Sequence, residues 1–179
     1  MRKLKLEELN RLDVETYKQA AKLPITVVLD NIRSAFNVGS IFRTCDGLGI
    51  SNIVLTGITA RPPHKEINKA AIGATESVAW SYEKDILEYI SQIDKSAATI
   101  YGVEQTDSSV MLSDMELPSL DKKIYLIFGN EVEGLNDAVL PHLTQAIEIQ
   151  QYGTKHSFNV AVCAGMVLWH FSGLIRNGS

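Results

Sequence analysis

Cysteine is nearly absent from this 179-residue chain: its two, Cys45 and Cys163, stand 118 positions apart, each in an apolar helical pattern. That setting excludes a disulfide scaffold and a thiolate metal site, and leaves two buried, reduced thiols. The four histidines, His64, His142, His156 and His170, are dispersed. No histidine–cysteine spacing suits zinc, so no metal is expected and each histidine is given a structural role. The charged N-terminus MRKLKLEE leads into no apolar stretch. Neither a signal peptide nor a membrane anchor is therefore expected there, and the expected location is the cytoplasm. A Gly-x-x-x-x-Gly-Lys phosphate loop and a serine nucleophile elbow are also missing. Gly47 and Gly49 follow a helical pattern and precede a strand pattern, the reverse of a dinucleotide-binding turn, and Gly47 reads as a left-handed helix terminator. These absences disfavour an oxidoreductase or other nucleotide-binding enzyme.

Positive charge is in deficit, with a net charge of −4, which argues mildly against nucleic acid as a partner. The total hides an asymmetry. Residues 1–70 hold 11 Lys and Arg against 7 Asp and Glu, while residues 71–179 hold 6 against 14. Surface fields are local over about a Debye length, ~10 Å, so such a chain can show phosphate a basic face. The plainer alternative is a scattered set of solvated charges.

The chain is 45% hydrophobic and long enough for one domain with a sizeable core. Leu6, Leu9 and Leu12 recur at helical spacing, so residues 6–21 are read as one or two short amphipathic helices ended by Pro24. Residues 25–30 (ITVVLD) form an apolar, β-branched run suited to a strand buried on both faces. Alternation follows: helix near 38–46, strand 52–56, helix near 64–72, short strand 77–80, helix near 83–93, strands 98–103 and 124–128. A short helix near 136–142, a strand at 146–149 and a long apolar helix at 158–174 complete the series. This order predicts an α/β fold, a parallel sheet sandwiched between helical layers.

Three polar segments stand where strands end: residues 31–43 (NIRSAFNVGSIFR), 128–135 (FGNEVEGL) and 157–160 (SFNV). Ligands of α/β proteins bind outside the carboxyl ends of strands, so three such loops imply one composite site. In the first, Asn37 suits a helix N-cap, Gly39 permits close approach of a ligand or chain, and Arg43 lies beyond the first turn, where its fork can reach a phosphate. A simple cap plus a surface arginine explains the same residues. In the second, Gly129 and Gly134 flank a polar bend carrying Glu131, which can anchor an arginine or accept from a hydroxyl; Glu133 reads as a solvated neighbour. In the third, Ser157 can cap a helix apolar almost all round, which must be buried in the domain or against a second subunit.

These segments, in this order and spacing, resemble the three motifs of the SpoU/TrmH family of RNA ribose 2′-O-methyltransferases, within the SPOUT superfamily. The resemblance covers residues 24–175 and implies a C-terminal deep trefoil knot, a homodimer, and S-adenosylmethionine bound within the knot. It divides the chain into a helical extension, 1–23, and a methyltransferase domain, 24–179. Asn37, Arg43, Glu131, Ser157 and Asn159 match motif residues. The cofactor is expected among Val103, Glu104, Gly129, Ile149, Ser157 and Phe158. Gln150 departs from the family's frequent Ile-Pro-Met run, and Ala161 stands in place of a frequent serine.

The resemblance further implies an RNA substrate, transfer RNA over ribosomal RNA by similarity to stand-alone members, and no membrane partner. Arg11, Arg33, Arg61, Lys65 and Lys69, with Arg2, Lys3 and Lys5, are the expected backbone contacts. The family's arginine, matched by Arg43, is held to accept the hydroxyl proton. A guanidinium is effectively never neutral in a protein, so Arg43, oriented by Glu131, is read instead as stabilising charge on the 2′ oxygen. Asn37 and Asn159 are expected to orient ribose and loop backbone. A non-catalytic RNA-binding protein of the same fold is the alternative, against which intact Arg43 and Glu131 weigh.

Overall fold

The computed structural model describes residues 1–116 and 118–178; the Leu6 side chain and Ser179, the last residue of the expected domain, lie outside that description. The N-terminus forms a 3₁₀ turn (Leu6–Leu9) and the short helix α1 (Val14–Gln19), capped by Asp13, which accepts from Thr16 N at 2.9 Å. Of the expected leucine stripe, Leu9 and Leu12 are exposed, and α1 has no buried residue. Its tie to the domain is Tyr17, whose hydroxyl donates to the Asp46 carbonyl at 2.8 Å.

The strands are β1 (Leu23–Asp30), β2 (Ile50–Thr56), β3 (Ala79–Glu83), β4 (Ala98–Val103), β5 (Val110–Met111), β6 (Lys123–Phe128) and β7 (Gln145–Glu148). They form a seven-stranded sheet in the order β3-β2-β1-β6-β4-β7-β5. Every pairing is parallel. Their carboxyl ends therefore share one edge, and the loops after β1, β6, β4 and β7 become neighbours there.

The helices are α2 (Ala35–Leu48), α3 (Lys65–Ala71), α4 (Ala74–Ser77), α5 (Ile86–Ser91) and α6 (Val160–Asn177). Alternation along β1 serves both faces. Val27 and Leu29 join the layer containing Val38, Ile41 and Phe42 of α2 and Val167 and Phe171 of α6, whereas Val28 joins Ile86 and Ile90 of α5. Both faces of the sheet are thus covered, as continuous apolar strands require. By length and composition α6 could cross a membrane, yet Ala164, Val167, Leu168, Phe171 and Ile175 pack in the core.

Local capping corrects several expectations. The cap of α2 is Ser34, whose hydroxyl accepts from Asn37 N at 3.2 Å, and Asn37 itself lies inside the first turn. Gly49, at φ 68°, ends that helix in the left-handed conformation; Gly47 is helical. Asn159, not Ser157, caps α6, accepting from Ala161 N and Val162 N. The strand expected at 77 begins at Ala79, because Ser77 closes α4 by donating to the Ala74 carbonyl. Near 136–142 the chain makes a 3₁₀ helix (Asp137–His142) that contains Pro141. The two-residue β5 had no sequence signal. Both cysteines are free thiols, Cys45 buried and Cys163 only partly so.

Gly39 is where α2 meets α3. A Cβ there would lie 2.5 Å from the Ile67 carbonyl oxygen and 2.8 Å from Ala70 Cβ, so the neighbouring helix, rather than a ligand, takes up the close approach. Gly39→Ala is expected to destabilise the domain by about 1–3 kcal/mol through overpacking. A urea titration would show this as a lower midpoint at unchanged slope; an unmoved midpoint would mean that the two helices separate freely.

Candidate active site

Parallel strands bring their end loops side by side, but adjoining loops share no ladder, so side chains must join them. Glu131, after β6, performs this joining. Its Oε2 accepts from Arg33 N at 2.8 Å, and its Oε1 accepts from Ser34 N at 3.0 Å and Asn37 Nδ2 at 3.0 Å. Asn37 Oδ1 in turn accepts from Asn159 Nδ2 at 3.2 Å. Glu131, Asn37 and Asn159, one from each expected segment, are thereby linked in a single chain of hydrogen bonds. Burial alone would raise the Glu131 carboxyl; the bonds from Arg33 N, Ser34 N and Asn37 outweigh it and hold the pKa below its ordinary value.

Two asparagines without an expected role complete the frame. Asn31 occupies left-handed space at φ 54° and accepts from Ile58 N at 3.1 Å, tying the loop after β1 to that after β2. Asn130 Nδ2 donates to the Asn31 carbonyl at 2.8 Å, and its Oδ1 accepts from Val132 N and Glu133 N. For Asn31, an asparagine directly after a buried strand was the available signal, since it tolerates positive φ and mimics a turn. The bend closes by reciprocal Asn130–Gly134 backbone bonds at 3.0 Å. A Cβ on Gly129 would lie 2.3 Å from the Gly134 carbonyl carbon, so glycine there is a packing requirement.

The end of β4 supplies further ties. Glu104 Oε2 accepts from Leu135 N at 2.9 Å, and Gln105 Nε2 donates to the His156 carbonyl at 2.9 Å. Between these loops lies a cleft of about 570 Å³ with Phe128, Leu135 and Ile147 among its apolar lining. Val103, Glu104, Gly129, Ile149, Ser157 and Phe158 all line it, as do Glu131 and Asn159. Its volume falls within the ~300–1,000 Å³ of small-molecule sites. Five carboxylates and, among the described residues, no lysine or arginine line it, a donor set that fits a cationic ligand. Gln150 stands outside that lining, exposed, its side-chain amide donating to the Gln151 carbonyl at 3.4 Å.

Arg43 is elsewhere, and the expectation that Glu131 orients it is corrected. Six residues at roughly 100° each place it roughly 120° around α2 from Asn37. It is exposed and, among the described residues, its guanidinium makes no hydrogen bond or ion pair, while Asn37 takes the place beside Glu131. Of the other basic residues, Arg33 and Arg61 follow β1 and β2, Lys65 and Lys69 lie on α3, and Arg11 precedes α1; all five are exposed. The Arg61 guanidinium stacks 4.1 Å from the Tyr82 ring centroid. Arg2 pairs with Glu8 at 2.6 Å.

Residues 24–169 match the family described as the SpoU rRNA Methylase family. A 23S rRNA (guanosine-2′-O-)-methyltransferase, RlmB of Neisseria meningitidis serogroup B, is 26% identical over 145 residues, covering 81% of this chain and 56% of the relative. The tRNA (guanosine(18)-2′-O)-methyltransferase of Saccharomyces cerevisiae is 27% identical over 170 residues, covering 90% of this chain and 11% of the yeast protein. This chain thus spans little more than half of the first relative and about a tenth of the second. Among solved structures, the AdoMet-bound rRNA methyltransferase from Sinorhizobium meliloti aligns with a TM-score of 0.77 at 25% identity, over 87% of this chain and 59% of that one. The A. aeolicus TrmH/SpoU tRNA modifying enzyme gives 0.79 at 20% identity, over 92% and 83%, a likeness of fold.

Glu131 gives the site a pH signature. Its pKa is lowered on folding, so its contribution is complete above the ordinary value of 4.5 and is lost as pH falls through the folded value. Glu131→Gln is expected to cost about 1 kcal/mol at pH 7. Melting temperatures of the two proteins should converge as pH falls from neutral to well below 4.5; a gap that stays constant throughout acid titration would remove Glu131 as the ionised joint.

Proposed function

The chain belongs to the SpoU/TrmH family of the SPOUT superfamily, and on that footing we propose that it transfers a methyl group from S-adenosylmethionine to a ribose 2′-hydroxyl of RNA. The observation that carries this reading is the cleft at the shared strand edge, joined across three loops by Glu131, Asn37 and Asn159. When bound, the cofactor supplies a sulfonium methyl group. Val103, Gly129, Ile149, Ser157 and Phe158 would surround it, and the carboxylate-rich lining suits its positive charge.

The chain's own residues then divide the work. Glu131 fixes the backbone of residues 33–34 and the Asn37 amide, while Asn37 and Asn159 orient the ribose-facing loops. Arg43 remains free for the phosphate beside the target ribose, where its permanent charge would stabilise the oxygen as its proton departs. Arg33, Arg61, Lys65 and Lys69 extend a basic surface over the β1–β2 side, with Arg11 on the N-terminal extension (1–23) beside the 24–179 domain; such contacts position RNA without reading sequence. Transfer RNA is preferred over ribosomal RNA by the resemblance to stand-alone members; rRNA and tRNA methyltransferases alike align over about nine-tenths of this chain, so aligned length favours neither. A homodimer is supported by exposed Trp169 (72%) and Val162 (54%) on α6 and Phe36 (50%) on α2, helices that pack together. A trefoil knot is the path the family implies for the C-terminal part of the chain, and the cytoplasm is the location favoured by the sequence pattern.

Incubation with labelled S-adenosylmethionine and total RNA is expected to place label on a ribose of transfer RNA. Label on a base, or none, would overturn the assignment. Arg43→Ala is expected to reduce turnover by about 10²-fold or more with calorimetric cofactor binding retained, and Arg43→Lys to preserve part of it. Full activity in Arg43→Ala would remove Arg43 from the chemistry.

A further inference from the structure

The charge of the cleft is one-sided, and its carboxylates are not equivalent. Glu131 is held by the donors of the first loop, and Glu148 accepts from Ser109 Oγ at 2.8 Å. Glu133 and Asp137 are exposed, where water and salt screen them. Glu104 differs from all four. It leaves the end of β4, a central strand, and is half-buried. Its two oxygens accept from Gln105 N at 2.8 Å and Leu135 N at 2.9 Å, neutral donors that fix the carboxylate without neutralising it. Among the described residues it has no ion-pair partner. It sits so close to the second loop that a Cβ on Gly134 would lie 2.2 Å from Oε2. Its charge also reaches Cys163 of α6, whose thiol is pushed up to about 11 by burial and then by Glu104.

A fixed, half-buried carboxylate without a counter-ion acts most strongly on the charge of what enters beside it. Methyl transfer breaks the sulfur–methyl bond, forms the oxygen–methyl bond, and releases the hydroxyl proton to phosphate or solvent. The sulfonium becomes a neutral thioether, so the cofactor loses one positive charge while nearly keeping its shape. Apolar walls cannot distinguish the two forms; a carboxylate can. We propose that Glu104 is a specificity-determining residue that makes the cleft prefer the methyl donor to S-adenosylhomocysteine, so that transfer itself weakens retention of the product. The inference rests on the reading of the cleft as the S-adenosylmethionine site.

Calorimetric titration of both ligands into wild type and Glu104→Gln tests it without any RNA. The glutamine variant is expected to lose about tenfold in affinity for S-adenosylmethionine with S-adenosylhomocysteine changed far less. An equal loss for both would overturn the proposal, since Glu104 would then only hold the 129–135 loop; so would no loss for either. A wild-type protein that binds neither ligand would overturn the cofactor reading and this inference with it. Should the variant fail to fold, sinefungin provides the test on wild type, because it carries an ammonium in place of the sulfonium. It is expected to bind more tightly than S-adenosylhomocysteine, and equal or weaker binding would sink the charge argument.

Discussion

The structure depends on a carboxylate held between loops that are far apart in sequence. Glu131 accepts from residues 33, 34 and 37, nearly a hundred positions earlier, and Asn159 continues the connection through Asn37. A parallel sheet delivers loops to a common edge but offers them no mutual backbone pairing. Without polar side chains of the right length, each loop would fray independently and the cleft would have no fixed wall. An ionised carboxylate suits this task because it accepts several hydrogen bonds at once, and charge-assisted bonds are the stronger kind.

This constraint explains which features could be read from the sequence. Strands such as ITVVLD and IYLIF are legible because burial on both faces demands an unbroken apolar run. The sheet order, with β6 inserted between β1 and β4, is not, since a strand's composition does not encode its neighbour. Two helix caps differ from expectation. Asn37 and Ser157 both fit the composition of a cap, but the Asn37 side chain is committed to Glu131 and Asn159, and Ser34 takes the local role. Asn159 serves both purposes, capping α6 through Oδ1 and reaching Asn37 through Nδ2. Local propensity names residue types that can cap without saying which one does. Asn31 and Asn130 escaped notice for the complementary reason, since their bonds join loops whose adjacency the sequence does not declare.

The charge asymmetry of the chain acquires a spatial meaning through the sheet. Residues 23–83 build the β3-β2-β1 side, and residues 98–148 build the β6-β4-β7-β5 side. Residues 23–83 hold 5 Lys and Arg against 5 Asp and Glu, and residues 98–148 hold 2 against 9, so the acidic excess falls on the side of the cleft, while the side that carries Arg33 and Arg61 is balanced. A local excess of one sign acts on whatever enters beside it, and the net charge of −4 says nothing of where that excess lies.

Arg43 shows why the geometry of the fold and the chemistry of the site are separable. The Glu131–Asn37–Asn159 chain is complete without it, so the loops hold their shape whether or not the guanidinium has a partner. An arginine bound to Glu131 would need that ion pair broken before it could meet a phosphate, and the desolvated carboxylate would be left without its partner. An exposed arginine on the outer face of α2 carries no such cost. The asparagine beside the carboxylate, six residues nearer the helix start, therefore builds the site, and the arginine takes no part in holding it together.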